Sequence, residues 1–77
     1  MKIVGICKTI ELAVGLRLGG IDCQVFESGD IMQKLDELKK IEDLGIIVID
    51  EELYKNSEEE LNDFRRNNKI PLIVRLD

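Results

Sequence analysis

The sequence predicts an α/β domain built on a four-stranded parallel sheet, strand order 2-1-3-4, with helices on both faces. Three observations carry that expectation. Short, β-branched runs alternate four times with segments of helical periodicity. The purest of these runs are continuous in apolar residues, the pattern of strands covered on both faces. Strands separated by helices pair parallel through right-handed crossovers, which restricts the winding.

The first strand is read from Ile3-Val4-Gly5-Ile6-Cys7. Thr9 then serves as a helix N-cap, with Glu11 near the positive end of the helix dipole. Ile10, Leu12, Ala13, Leu16 and Leu18 are the apolar positions of this helix, and Gly19-Gly20 end it. Asp22 to Glu27 alternates weakly, as an edge strand does. Ser28-Gly29-Asp30 turns the chain into a second helix, where Asp30 and Gln33 have capping-box spacing. Ile31, Leu35, Leu38 and Ile41 form one apolar stripe. Leu44 to Ile49 (Leu-Gly-Ile-Ile-Val-Ile) is the central strand. Ser57-Glu58-Glu59-Glu60 reads as the capping box of a third helix that buries Leu61 and Phe64. Asn67-Asn68 are expected to end it in the left-handed conformation. Pro71 opens the last strand, Leu72-Ile73-Val74, a position where proline is tolerated. This βαβαβαβ order is that of receiver and flavodoxin-like sheets, and it reads as one domain over residues 1–77.

Composition narrows the functions open to such a domain. Of 77 residues, 44% are hydrophobic and only 4% aromatic, so aliphatic side chains must supply a small core. Eleven basic residues against 16 acidic ones leave a net charge of −5, which argues against non-specific binding of nucleic acid. No apolar run approaches the roughly 18 residues of a membrane span. The first residues, Met1-Lys2-Ile3-Val4, lack a signal-peptide layout. There is no histidine, which removes the commonest general base and metal ligand. Neither cofactor nor metal is expected, because two separated cysteines and scattered carboxylates make no ligand set.

In a doubly wound sheet, ligands bind beyond the carboxyl ends of the strands, where the order reverses. That directs attention to the Cys7–Lys8, Glu27–Asp30 and Asp50–Tyr54 loops, expected along one edge, and within them to Cys7, Lys8, Asp50 and Glu51. Cys7 ends the first strand before a helix N-terminus, where a thiolate is stabilised and where phosphocysteine domains and small phosphatases keep a nucleophile. A phosphatase loop also needs an arginine at position 13, which is Ala13 here. The small residues of a phosphate cradle are missing from Lys8-Thr9-Ile10-Glu11-Leu12. A buried cysteine otherwise behaves as a small hydrophobe. Asp50 ends the central strand, where receivers carry their phosphorylated aspartate. They also need an acidic pair after the first strand to hold Mg²⁺, and Cys7-Lys8 stand there instead. Gly15, Gly19 and Gly20 lie within and after the first helix, the wrong side for a dinucleotide fingerprint. A Cys7–Cys23 disulfide is not expected, because the two residues are placed at opposite ends of neighbouring parallel strands. Two free thiols fit a reducing cytoplasm.

Val14-Gly15-Leu16-Arg17-Leu18-Gly19-Gly20-Ile21 asks for a separate explanation. A glycine inside a helix costs about 1 kcal/mol against alanine. It serves either close packing of the helix on its sheet or a flat face for another protein, with Arg17 as a planar multi-donor anchor. Periodicity does not separate the two.

At this segment the chain resembles the F subunit of the V-type and archaeal-type rotary ATPases, over nearly its whole length. That family carries a Gly-Phe-Arg-Leu-Ala-Gly-like motif, matched here by Gly15-Leu16-Arg17-Leu18-Gly19-Gly20. It continues with a strand like Leu44-Gly45-Ile46-Ile47-Val48-Ile49, an acidic residue and a helix, then a strand like Ile70-Pro71-Leu72-Ile73-Val74. The resemblance implies a non-catalytic, cytoplasmic, peripheral component of the central stalk. Such a component docks on the coiled coil of the D subunit and reaches the A/B catalytic head only indirectly. It also implies partner-binding positions at Gly15, Leu16, Arg17 and Leu18. The sequence departs from the family pattern in having Cys7-Lys8 where Gly-Asp is usual, and Leu16 in place of the motif's aromatic. The family runs on past the last strand into a linker and C-terminal helix, so the 77 residues are expected to correspond to its N-terminal globular domain. Two other readings stand beside this one. The first is a phosphoryl-accepting domain using Cys7 or Asp50, and the second a small module that dimerises through the Cys23–Glu27 edge.

Overall fold

Four strands, β1 (Lys2–Cys7), β2 (Asp22–Val25), β3 (Leu44–Asp50) and β4 (Leu72–Leu76), form one parallel sheet in order β2-β1-β3-β4. The computed structural model describes residues 1–76, so Asp77, the last residue of the expected domain, lies outside the described residues. The expected flavodoxin-like winding is therefore the one observed. The helices are α1 (Ile10–Leu18), α2 (Ile31–Leu38), α3 (Glu51–Asn56) and α4 (Glu58–Asn67).

Caps read from the sequence set the starts of the first two helices. The Thr9 hydroxyl accepts from the Leu12 amide at 3.3 Å, and Asp30 Oδ1 accepts from the Met32 amide at 2.9 Å. Gly20, at φ +92°, takes the left-handed turn that ends α1, and the Ile21 amide closes back on the Leu16 carbonyl at 2.9 Å.

Three expectations are corrected. The Asp50–Tyr54 stretch, expected as a loop, is mostly helical, because Asp50 caps α3 directly. The Ser57 capping box does not form. Ser57 is buried between α3 and α4, and its side chain makes no cap bond. Asn68 is extended rather than left-handed, and it ends α4 by donating from Nδ2 to the Phe64 carbonyl at 3.1 Å. The left-handed non-glycine residue is instead Asp43, at φ 65°, where the chain turns into β3.

The two faces of the sheet are covered unequally. Val4, Ile6, Leu44, Ile47, Ile49 and Ile73 point to the face packed by α2, α3 and α4, meeting Leu35, Leu53, Leu61 and Phe64 in the main core. Burying a side chain such as Phe64 contributes roughly 1.5–3 kcal/mol. The opposite face carries only α1, over a buried cluster of Cys7, Ala13 and Cys23 flanked by Leu12, Leu16 and Val25, and Val48 is buried on this side as well. Strand alternation aims Ile3, Ile46, Val48, Leu72 and Val74 at this same face. Registry aligns them across the sheet, Ile3 with Ile46 and Leu72, and Val48 with Val74.

Candidate functional site

The carboxyl edge of the sheet gathers Lys8 and Asp50, but in structural roles. Asp50 leaves β3 nearly buried, with 7% of its surface exposed. Its Oδ1 accepts from the Leu53 amide and its Oδ2 from the Lys8 amide, each at 2.8 Å. The carboxylate thus clasps the β1–α1 turn to the start of α3, and both oxygens are engaged. Lys8 Nζ lies 3.5 Å from Glu52, and Glu51 faces Lys55 at 2.9 Å. The hydrogen bond from Lys55 holds the Glu51 carboxyl below its ordinary pKa.

A shallow cleft of about 280 Å³ lies beyond this edge, lined by Lys8, Ser28, Gly29, Asp30, Ser57 and Glu60 among others. It arises because the Phe26–Asp30 loop and the α3–α4 corner stand apart. Among the described residues no group of three or more His, Cys, Asp or Glu side chains is placed to hold a metal ion.

Cys7 does not face the cleft. Its thiol is fully buried beneath α1, and burial, reinforced by the hydrogen bond with Cys23, pushes its pKa from 9.0 to about 12. A thiol so held stays protonated near neutrality and is a poor nucleophile. Its neighbour is the larger correction. Cys7 Sγ lies 3.0 Å from Cys23 Sγ, with both cysteines free. The expected separation fails because β2 is short and enters the sheet at Asp22 opposite Val4, which sets Cys23 opposite Gly5, only two positions from Cys7. Both side chains fall on one face. The absent Gly5 side chain leaves room for the sulfur, since a Cβ there would stand 3.1 Å from Cys23 Sγ.

The Gly15–Leu18 segment divides between inside and outside. Nothing lies within 4 Å of a Cβ built on Gly15, so close packing on the sheet does not explain this glycine. Leu16 packs inward, its Cδ1 3.5 Å from a Cβ built on Gly5. Arg17 Nε donates to the Cys23 carbonyl at 2.9 Å and ties the end of α1 to β2. Leu18 is 85% exposed.

Sequence reasoning missed how far this exposed apolar surface extends. The large hydrophobic side chains exposed among the described residues are Met1, Ile3, Ile10, Val14, Leu18, Ile70, Leu72 and Val74. Ile10, Val14 and Leu18 belong to α1, and Ile3, Leu72 and Val74 to the strand positions on its side of the sheet. Met1 and Ile70 precede β1 and β4, at the edge where those strands begin, and none lies on α2, α3 or α4. The available signal was topological. Right-handed crossovers put α1 on one face and the remaining helices on the other, so apolar residues of β3 and β4 on the α1 side have no helix above them.

No helix among the described residues is long and apolar enough to cross a membrane. No curated protein and no solved structure matches the chain. The family model described as ATP synthase (F/14-kDa) subunit matches residues 3–77.

Proposed function

Because the chain belongs to the ATP synthase F/14-kDa subunit family, and is therefore a subunit of a rotary ATPase, we propose that it is a non-catalytic central-stalk component. In this reading it binds the coiled coil of the D subunit and turns with it, as a peripheral part of the membrane-bound complex. The observation that supports a docking role is the one-sided distribution of exposed apolar side chains. Leu18, Val14 and Ile10 on α1 lie on the same side of the molecule as Ile3, Leu72 and Val74 of the uncovered sheet. Apolar surface collected on one side of a small domain marks a place where another protein sits. Arg17 lies beside Leu18 and adds guanidinium donors at the rim, and arginine is enriched at the centres of binding energy in interfaces. Gly15 keeps that helix surface flat.

The chemistry of the two residues considered as phosphoacceptors supports the same reading. The Asp50 oxygens are occupied by two backbone amides, and the Cys7 thiol is buried and protonated.

Isothermal titration of this chain with a soluble coiled-coil fragment of the D subunit from the same organism tests the assignment. Leu18→Glu and Val74→Glu should each weaken binding by about tenfold or more, equivalent to about 1.4 kcal/mol. Glu37→Ala, at an exposed position of α2, should leave it unchanged, and far-UV circular dichroism should be the same for all three. Absence of binding, or binding indifferent to the α1-side variants, would overturn the proposal.

A further inference from the structure

We propose that Cys7 and Cys23 form a reversible disulfide in the folded protein, a redox staple that locks α1 and the edge strand β2 onto β1. This inference is independent of the stalk assignment. Its basis is geometric: the two Sγ atoms already lie 3.0 Å apart on one face of adjacent strands. Bond formation asks for about 1 Å of further approach to reach a disulfide length near 2.05 Å. Gly5 leaves the space in which Cys23 Sγ can move.

The position of the pair gives the bond a consequence. The loop it would close spans 16 positions and contains the whole of α1. That helix rests on a satellite core of three buried residues, two of which are the cysteines themselves. Its last turn is already joined to β2 by the hydrogen bond from Arg17 to the Cys23 carbonyl. Oxidation would turn this lightly held corner into a covalently closed one. Reduction would release it.

Access follows from the same light packing. Both thiols are fully buried, so exchange proceeds through local opening of β2, a four-residue edge strand that pairs only with β1 among the described strands. The oxidant is a low-molecular-weight disulfide. In the opened state one cysteine loses its proton, and its thiolate attacks glutathione disulfide. The glutathione S–S bond breaks, leaving a mixed disulfide and one glutathione thiolate. The second cysteine, deprotonated in turn, attacks the protein sulfur of that mixed disulfide. The Cys7–Cys23 bond forms and the second glutathione thiolate departs. The two cysteine protons end on the two glutathione thiols, and two electrons pass from the protein to glutathione.

Equilibration of the chain in buffers of reduced and oxidised glutathione tests the idea, with acid quenching and intact-mass analysis. The folded protein should lose two hydrogens without retaining glutathione, and the original mass should return on adding a reducing dithiol. The effective concentration of the two thiols should be about 100-fold higher in the folded chain than in the same chain in guanidinium chloride, the ratio that closure of a loop near this length implies. Cys7→Ser and Cys23→Ser set the baseline, because each leaves one thiol that can only form the mixed species. A stable glutathione adduct on the folded wild-type chain would overturn the proposal. So would a folded-to-unfolded ratio below about tenfold on the same scale.

Discussion

The Asp50→Ala replacement withdraws a carboxylate that two backbone amides share. Loss of the α3 cap at Leu53 costs about 1 kcal/mol, within a range of about 0.5–2. Loss of the second bond, 2.8 Å from the Lys8 amide, strands a partly buried donor, which adds roughly 1–3 kcal/mol. The sum, about 2–4 kcal/mol, is a large share of the roughly 4–12 kcal/mol expected of a domain this size. Urea unfolding followed by far-UV circular dichroism should show a lower midpoint with an unchanged slope, since the surface exposed on unfolding is the same. Thermal unfolding should fall by at least about 8 °C. Asp50→Asn keeps one acceptor oxygen and should cost about half as much, by the same hydrogen-bond arithmetic. An alanine variant that loses less than about 1 kcal/mol would refute the clasp, because even one of the two bonds is expected to exceed that together with its stranded partner.

Two glycines should respond in opposite directions. Gly15→Ala adds a methyl group into open space inside a helix, and it should raise stability by about 0.5–1 kcal/mol in the same urea assay. Gly5→Ala sets a Cβ 3.1 Å from Cys23 Sγ, and it should cost about 1 kcal/mol or more through overpacking. Stability should also fall in alkali. The folded Cys7 thiol titrates near 12 against an ordinary value of 9.0, so the unfolded chain loses its proton first. Between those two pH values the native state binds more protons, and unfolding free energy declines with rising pH. The slope attributable to this one thiol is at most about 1.4 kcal/mol per pH unit. Comparing wild type with Cys7→Ala at pH 8 and at pH 11 should show a smaller alkaline loss in the variant.

Much of the architecture is legible in the sequence because it is encoded locally. Thr9 and Asp30 cap the helices they precede, and the β-branched runs of β1 and β3 are strands. Features that depend on two segments meeting are less legible. Asp50 has the residue type of a receiver phosphoacceptor, and only the Lys8 amide, brought alongside from β1, shows that its second oxygen is committed. The distance between Cys7 and Cys23 depends on strand register, and β2 begins at Asp22 and lasts four residues, a boundary that weak alternation does not locate. Ser57 has the spacing of a capping box, yet α3 arrives from the other side and takes Ser57 as its own end. Asn68 ends α4 through its side chain rather than through a left-handed backbone, an option its amide keeps open in any local pattern.

The unequal covering of the sheet also separates two kinds of selection on this chain. Substitutions beneath α2, α3 and α4 remove packing around Leu35, Leu61 and Phe64 and are felt as lost folding. At Leu72, Val74 and Leu18 the side chains already stand in solvent, so exchange there is nearly neutral for folding, commonly within about 0.5 kcal/mol. If that side is the docking surface proposed above, its specificity can therefore drift from one lineage to another without the fold being rebuilt each time. The accompanying hazard is colloidal. An isolated copy carries its apolar side uncovered, and under the proposed docking role a copy made in excess of its partner would be prone to self-association.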